Sequence, residues 1–210
     1  VSMEREEREL RIALVRMGRS LFARGLTAGS TGNLSVRIGD SILSTPTGSR
    51  LGDLEPDALA EVSLRGEHIS GPRATKEAFL HAAMYRARPS ARAVVHLHST
   101  HAAAVSCLDG LDARAALPPL TAYYAMRVGR MPLLPYHAPG APALEPLAEA
   151  AAAEHHALLL ANHGPVVAGA TLEAAADAAE EIEETAKLYL LLHGHRTRPL
   201  TDEEAARLSG

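Results

Sequence analysis

At 210 residues, with 47% hydrophobic and 22% charged side chains, the chain is long enough for one substantial core and too short for two ordinary domains. A formal net charge of −4, two Phe, five Tyr and no Trp leave neither a basic footprint nor a base-stacking platform, so no nucleic-acid partner is expected. The lone cysteine, Cys107, excludes an intrachain disulfide framework; with no run near the roughly 18 apolar residues of a membrane span, and a charged rather than leader-like start, no membrane partner and a cytoplasmic location are expected.

Leu10, Leu14, Met17 and Leu21 recur at helical spacing and Gly25 stands where a helix ends, which predicts an amphipathic helix over 5–24. The small, polar segment 27–33 reads as a loop. Residues 34–38 and 42–45 read as strands joined at Gly39-Asp40, followed by a turn at 46–49, and 61–70 as a second hairpin around Arg65-Gly66. A helix is predicted over 75–87, stopped by Pro89, then a buried strand over 93–98 and a short helix over 100–107. Beyond Pro118-Pro119 the pattern through 120–137 is ambiguous. An alanine-rich helix over 143–154 precedes strands at 157–161 and 166–168, which flank Asn162-His163-Gly164-Pro165. A long helix over 172–193 and a short last helix capped by Thr201 complete the pattern. With no repeat, linker or break in composition, residues 1–210 are expected to form a single α/β domain, a mixed central β-sheet flanked by helices.

Eleven histidines are unusual, and position has to separate them. In His96-Leu97-His98, strand alternation sends both imidazoles to one side with Cβ atoms roughly 7 Å apart, close enough to converge on one metal ion. A bare pair of this kind is as often satisfied by hydrogen bonds in a core. His163, where a strand gives way to a Gly-Pro turn, is placed for a third ligand, although a histidine there is more often a turn residue. His101 competes through the spacing His98-x-x-His101, which suits a helix, whereas His98 ends a strand. His155, His156, His193 and His195 read as residues of solvated ends.

Glu77 at the start of a predicted helix has two readings. It is a charge complementing the helix dipole, with His81 one turn on as its pair, or a carboxylate that reaches the histidines and carries a proton. Ser30–Asn33, Thr47–Ser49 and Thr75-Lys76 supply the hydroxyls, glycines and amine from which anion sites are made, and turns use the same residues.

Taken in order, GSTGNLSVR (29–37), STPTGS (44–49), TKEAFLH (75–81), VVHLHS (94–99) and LLANHGPVVAG (159–169) resemble the class II aldolase/adducin family, over roughly residues 5–193. The resemblance implies a zinc ion on His96, His98 and His163, with Co²⁺ or Mn²⁺ as substitutes. It implies that Glu77 acts as proton donor or acceptor and can approach the metal when no substrate is bound. It implies a phosphate pocket built from Ser30, Asn33, Thr47, Gly48 and Thr75. Lys76, standing where the aldolases commonly have a serine, is assigned to the same pocket. Tyr123 falls where the aldolases place a tyrosine that assists the aldehyde oxygen. Cyclic tetramers with active sites near subunit boundaries are the family's habit, so a homotetramer is implied.

Adducin-like members lack the metal set and serve as interaction domains, which the three histidines and Glu77 disfavour; epimerases of the fold also use zinc. STPTGSRLGDL, ATKEAFLHAAMYRARP, VVHLHSTHAAAVSCL and LPPLTAYYAMRVG resemble the bacterial 3-oxo-tetronate 4-phosphate decarboxylases more than the sugar-phosphate aldolases. The implied reaction is zinc-dependent decarboxylation of that phosphorylated sugar acid to dihydroxyacetone phosphate and CO₂. The alternative is aldol cleavage of a ketose 1-phosphate.

Overall fold

The structure, a computed structural model, describes residues 2–208. In chain order the elements are α1 (Ser2–Ala23), β1 (Asn33–Ile38), β2 (Ser41–Ser44), β3 (Ala60–Ser63), β4 (His68–Ser70), α2 (Ala78–Ala87), β5 (Ala93–His96), α3 (Thr100–Ser106) and α4 (Ala122–Arg127). There follow β6 (Leu133–Leu134), α5 (Leu144–Glu154), β7 (Ala157–Leu160), β8 (Gly164–Gly169), α6 (Leu172–Leu191) and α7 (Asp202–Ala206). The strands form one eight-stranded sheet in the order β4-β3-β2-β1-β5-β8-β7-β6, antiparallel throughout except for β6 beside β7. This is the expected mixed sheet flanked by helices. No helix among the described residues is long and apolar enough to cross a membrane.

Helices cover both faces of the sheet, which is why its central strands read as continuous apolar runs rather than as alternating patterns. Val95, Leu97, Leu159 and Val167 pack with Leu14, Leu21, Val105 and Ile182 on the side of α1, α3 and α6. Val94, Leu158 and Val166 face the other way, onto Leu80, Met84, Ala148 and Ala152 of α2 and α5. Burying each of these larger aliphatic side chains stabilises the fold by about 1.5–3 kcal/mol.

Three of the boundaries that differ from the sequence reading lie at the site. Helix α2 starts at Ala78 rather than 75, and Glu77 occupies its N-cap without a capping side-chain bond. Its carbonyl accepts from the N–H groups of Leu80 (2.9 Å) and His81 (3.2 Å), which leaves the carboxylate free to turn inward. Strand β5 ends at His96 rather than 98. Leu97 N–H still donates to the Pro165 carbonyl at 3.3 Å, but proline has no N–H to return the bond and the ladder stops. β8 in turn starts at Gly164, two residues before the expected start, with Pro165 opposite Leu159. The ambiguous stretch 120–137 resolves into α4 and the two-residue β6.

The turn from β7 to β8 lies hard against the end of β5. Asn162 takes a left-handed conformation (φ 55°), and its N–H donates to the Ser106 carbonyl at 3.0 Å. His163 N–H donates to Ser106 Oγ at 3.1 Å. A Cβ at Gly164 would collide with the Leu97 carbonyl oxygen, so only glycine lets the two backbones meet. Gly164→Ala is therefore expected to cost more than about 2 kcal/mol in the metal-free protein, whereas Asn162→Gly, which relieves the left-handed residue, stays within about 1 kcal/mol. Urea midpoints of the two variants test this; an unshifted Gly164→Ala midpoint contradicts it.

Candidate metal centre

His96 closes β5, His98 follows two residues on, His163 ends the turn before β8, and Glu77 caps α2. The three Nε2 atoms form a triangle: His96 to His98 3.0 Å, His96 to His163 3.3 Å, His98 to His163 3.1 Å. Glu77 Oε2 lies 3.3 Å from His96 Nε2, and Oε1 3.3 Å from His163 Nε2. All four groups place a ligand atom within 4.8 Å of every other. Nitrogens bound at 2.0–2.1 Å around a tetrahedral ion lie about 3.3 Å apart, close to what is observed.

The donor set fits a divalent cation. His96 Nδ1–H donates to the Pro165 carbonyl at 2.9 Å, which leaves Nε2 as a bare lone pair aimed at its neighbours. Glu77 Oε1 is buried without a hydrogen-bond partner. Converging lone pairs and an orphaned carboxylate oxygen are costly in a dry site unless a cation lies among them. Burial, aided by the charge of His96, holds His98 down to about 3 and His163 down to about 4, so both offer free nitrogens at neutral pH. Burial also opposes charge on His96, but the Glu77 carboxylate beside it raises its affinity for a proton. Glu77 shows the converse. Burial favours the neutral acid, yet His96, the Asn33 hydrogen bond and His163 together hold it well below the usual carboxylate range.

A cavity of about 250 Å³ opens beside the cluster, and Glu77, His98 and His163 form part of its wall. Ser30, Asn33, Thr47, Gly48, Thr75 and Lys76 all line it, so the structure brings together every residue assigned to the phosphate pocket. Ser49, named with the Thr47 turn but not assigned to the pocket, lines it too, as does Pro139, which was not singled out from the sequence. The Pro46–Ala74 bridge, with Thr47 N–H on the Arg73 carbonyl (2.9 Å) and Thr75 N–H on that of Thr45 (3.1 Å), ties two of these segments together. Lys76 is exposed and makes no hydrogen bond or ion pair among the described residues, so its ammonium is available to a ligand.

Asn33 is already engaged. Its Nδ2 donates to Glu77 Oε2 at 2.9 Å and its Oδ1 meets His81 Nε2 at 2.5 Å, so the side chain serves the carboxylate as well as the cavity wall. His81 does not pair with the Glu77 carboxylate; its Nδ1 meets Ser35 Oγ at 2.7 Å, and Ser35 Oγ meets Tyr85 Oη at 2.9 Å. Burial, with the nearby charge of His96, pushes His81 down to about 3. Sequence reasoning missed Ser35 and Tyr85. The recurrence of Glu77, His81 and Tyr85 every fourth residue was the available signal.

Two further candidates lie away from the cluster. Tyr123 is 59% exposed on α4, with the Arg127 guanidinium 5.4 Å from its ring centre, and it does not line the cavity. His101 is held by Glu183, whose carboxylate takes its Nδ1 at 2.7 Å and the N–H groups of His101 and Ala102 at 3.0 and 2.8 Å. That interaction satisfies the first turn of α3 and removes His101 from competition with His98.

Residues 12–190 match the family described as class II aldolase and adducin N-terminal domain. The chain is 50% identical over 205 residues to the 3-oxo-tetronate 4-phosphate decarboxylase of Pectobacterium atrosepticum, covering 97% of this chain and 94% of that one. It is 34% identical over 172 residues to the L-fuculose phosphate aldolase of Haemophilus influenzae, covering 80% and 76%. Its fold superposes on the crystal structure of YgbL from Klebsiella pneumoniae with a TM-score of 0.93 at 44% identity, over 96% of this chain and 98% of that one.

Metal-free protein is expected to take up about one divalent ion per chain and, as pH falls, to release a growing fraction of a proton on binding, because ion and proton compete for His96 Nε2, whose proton affinity Glu77 raises. Binding therefore weakens as pH falls. Isothermal titration in buffers of different ionisation enthalpy reads both quantities. Full metal content in His96→Ala and His163→Ala would remove the assignment.

Proposed function

Since the chain belongs to the class II aldolase and adducin family, we propose that it is a metal-dependent carboxy-lyase converting 3-oxo-tetronate 4-phosphate to dihydroxyacetone phosphate and CO₂. The observation that carries the reading is the meeting of a three-histidine, one-carboxylate cluster with a hydroxyl-lined cavity containing a free ammonium group. The relatives support the choice of reaction, since identity to a decarboxylase of this substrate is 50% against 34% to an aldolase.

In this substrate the carboxylate lies β to a ketone, so departure of CO₂ leaves an electron pair delocalised over C2 and C3 as an enediolate. A divalent ion held by His96, His98 and His163 would supply Lewis-acid stabilisation of that developing charge. The chain's own residues do the rest. The Ser30–Asn33 loop, the Thr47-Gly48 turn and Thr75 grip the phosphate with hydroxyl and N–H groups, and Lys76 offsets its charge. Glu77 is held as the anion before substrate arrives. An incoming phosphate and carboxylate raise its proton affinity, and it takes up the proton that it then delivers to C2.

We assign the metal as zinc, which a histidine-rich site with one carboxylate suits, with Co²⁺ or Mn²⁺ as working substitutes. We also propose a cytoplasmic homotetramer. In its own chain Tyr123 lies outside the cavity, so a part in the reaction requires a second copy. Light scattering is expected to give four chains per particle; a monomer at working concentration would remove both the assembly and any role for Tyr123.

The second reading, aldol cleavage of a ketose 1-phosphate, generates the same enediolate with an aldehyde as the departing fragment, and the identity to the L-fuculose phosphate aldolase favours it next. A panel of phosphorylated oxo-acids and ketoses separates the two. Metal-dependent release of CO₂ and dihydroxyacetone phosphate in equal amounts is expected, with inhibition by hydroxamates that mimic the enediolate. Glu77→Gln should keep the fold and most of the metal while losing about 10²–10⁴-fold in kcat. Inert oxo-tetronate phosphates alongside a cleaved ketose 1-phosphate would hand the assignment to the aldolase.

A further inference from the structure

We infer that Ser35, His81 and Tyr85 are positioning residues, a one-way chain of hydrogen bonds that runs from Tyr85 through Asn33 and sets the orientation of the Glu77 carboxylate against His96 and His163. Its kinetic consequence rests on the role proposed for Glu77 above; its geometry does not.

The direction of the chain follows from what each group is able to donate. An ionised carboxylate only accepts, so the Asn33 atom 2.9 Å from Glu77 Oε2 is the amide nitrogen. Asn33 Oδ1 then faces His81 Nε2 at 2.5 Å and needs a donor, so Nε2 carries the hydrogen. His81 is fully buried with no carboxylate bonded to its ring, which keeps the imidazole neutral and leaves Nδ1 a bare lone pair. Ser35 must therefore donate to Nδ1 across 2.7 Å, and its oxygen then accepts the Tyr85 hydroxyl hydrogen across 2.9 Å. Every member lies within a buried layer: Ser35 and His81 are 0% exposed, Tyr85 1% and Asn33 6%. With Glu77 ionised and His81 neutral, no other assignment satisfies all four bonds.

The architecture supports the inference independently. Asn33 and Ser35 are alternate residues of β1 and share a face. Glu77, His81 and Tyr85 are four residues apart and share a face of α2 and its cap. The two rows interlock through four hydrogen bonds inside an otherwise apolar layer that includes Ile42, Leu80, Met84 and Val94. Each bond polarises the next, so the donor that Asn33 presents to the carboxylate is strengthened by the groups behind it. An amide does not pass a proton along, so the chain holds Glu77 in place rather than feeding it. Without the His81 donor the Asn33 amide is free to flip, which would set Oδ1 against Glu77 Oε2 and turn the carboxylate away from the histidines.

The experiment has two arms, both on the full-length protein. The first needs no substrate: ¹⁵N NMR of histidine-labelled, metal-loaded protein near neutral pH should show a neutral His81 with Nε2–H and bare Nδ1, the signal identified by its loss in His81→Gln. An imidazolium, or the Nδ1–H tautomer, would overturn the chain whatever the substrate proves to be. The second arm uses whichever compound of the panel above is turned over. His81→Leu is expected to lose about 10–100-fold in kcat with KM within about threefold, and His81→Gln, which restores an N–H at the same reach, to recover to within about threefold. Should His81→Leu fail to fold, Ser35→Ala and Tyr85→Phe remove only hydroxyls and are expected to lower kcat about 3–10-fold. Lowered thermal midpoints with unchanged kcat in the folded variants would reduce the network to a structural role and overturn the inference.

Discussion

The geometry of the whole chain serves one constraint, the convergence of three imidazole nitrogens and a carboxylate in a largely buried site that is open on one side. Such a group of lone pairs repels itself, and the fold must supply the packing that holds it together until a cation satisfies it. Four side chains from three segments meet there: the one at the end of β5, the one after Leu97, the one in the turn before β8 and the one at the cap of α2. Backbone contact between Gly164 and Leu97 brings the first three together. The Asn33 amide joins the fourth, so β1 acts on the site although it supplies no ligand.

Burial on both faces of the sheet makes this feasible. The apolar layer beneath α2 and α5 excludes water from the back of the cluster, and the cavity admits it only from the side of the hydroxyl-bearing loops. Metal and proposed phosphate contacts thus stand side by side, so a small phosphorylated carbonyl compound held at one end presents its reacting carbon at the other. Glu77 lies between these two regions, bonded to Asn33 and close to His96 and His163, which is the location a proton carrier needs.

Relatives in the family are named as a decarboxylase and as an aldolase, and in the two reactions weighed above the charge left behind is chemically the same. A site organised around stabilising that charge tolerates the change without moving its ligands. Variation is then expected at the periphery, where Lys76 is exposed at the cavity and where Tyr123 faces outward from α4.

Much of this was legible in the amino-acid order itself. Helical spacing of Leu10, Leu14 and Met17, the apolar runs 93–95 and 157–160, and the hydroxyl-rich turns mark their elements by local periodicity and turn chemistry. The clustered His96, His98 and His163 and the lining residues Ser30, Thr47 and Thr75 were readable as an ordered set, because each stands in a short motif. What local pattern does not carry is the partner of a side chain across the sheet. Whether Glu77 caps its helix or turns inward, whether Asn33 faces the cavity or the carboxylate, and whether His81 binds Glu77 or Ser35 depend on β1 lying against α2. Those residues are 44 to 50 positions apart along the chain, a separation at which only tertiary packing decides which donor meets which acceptor.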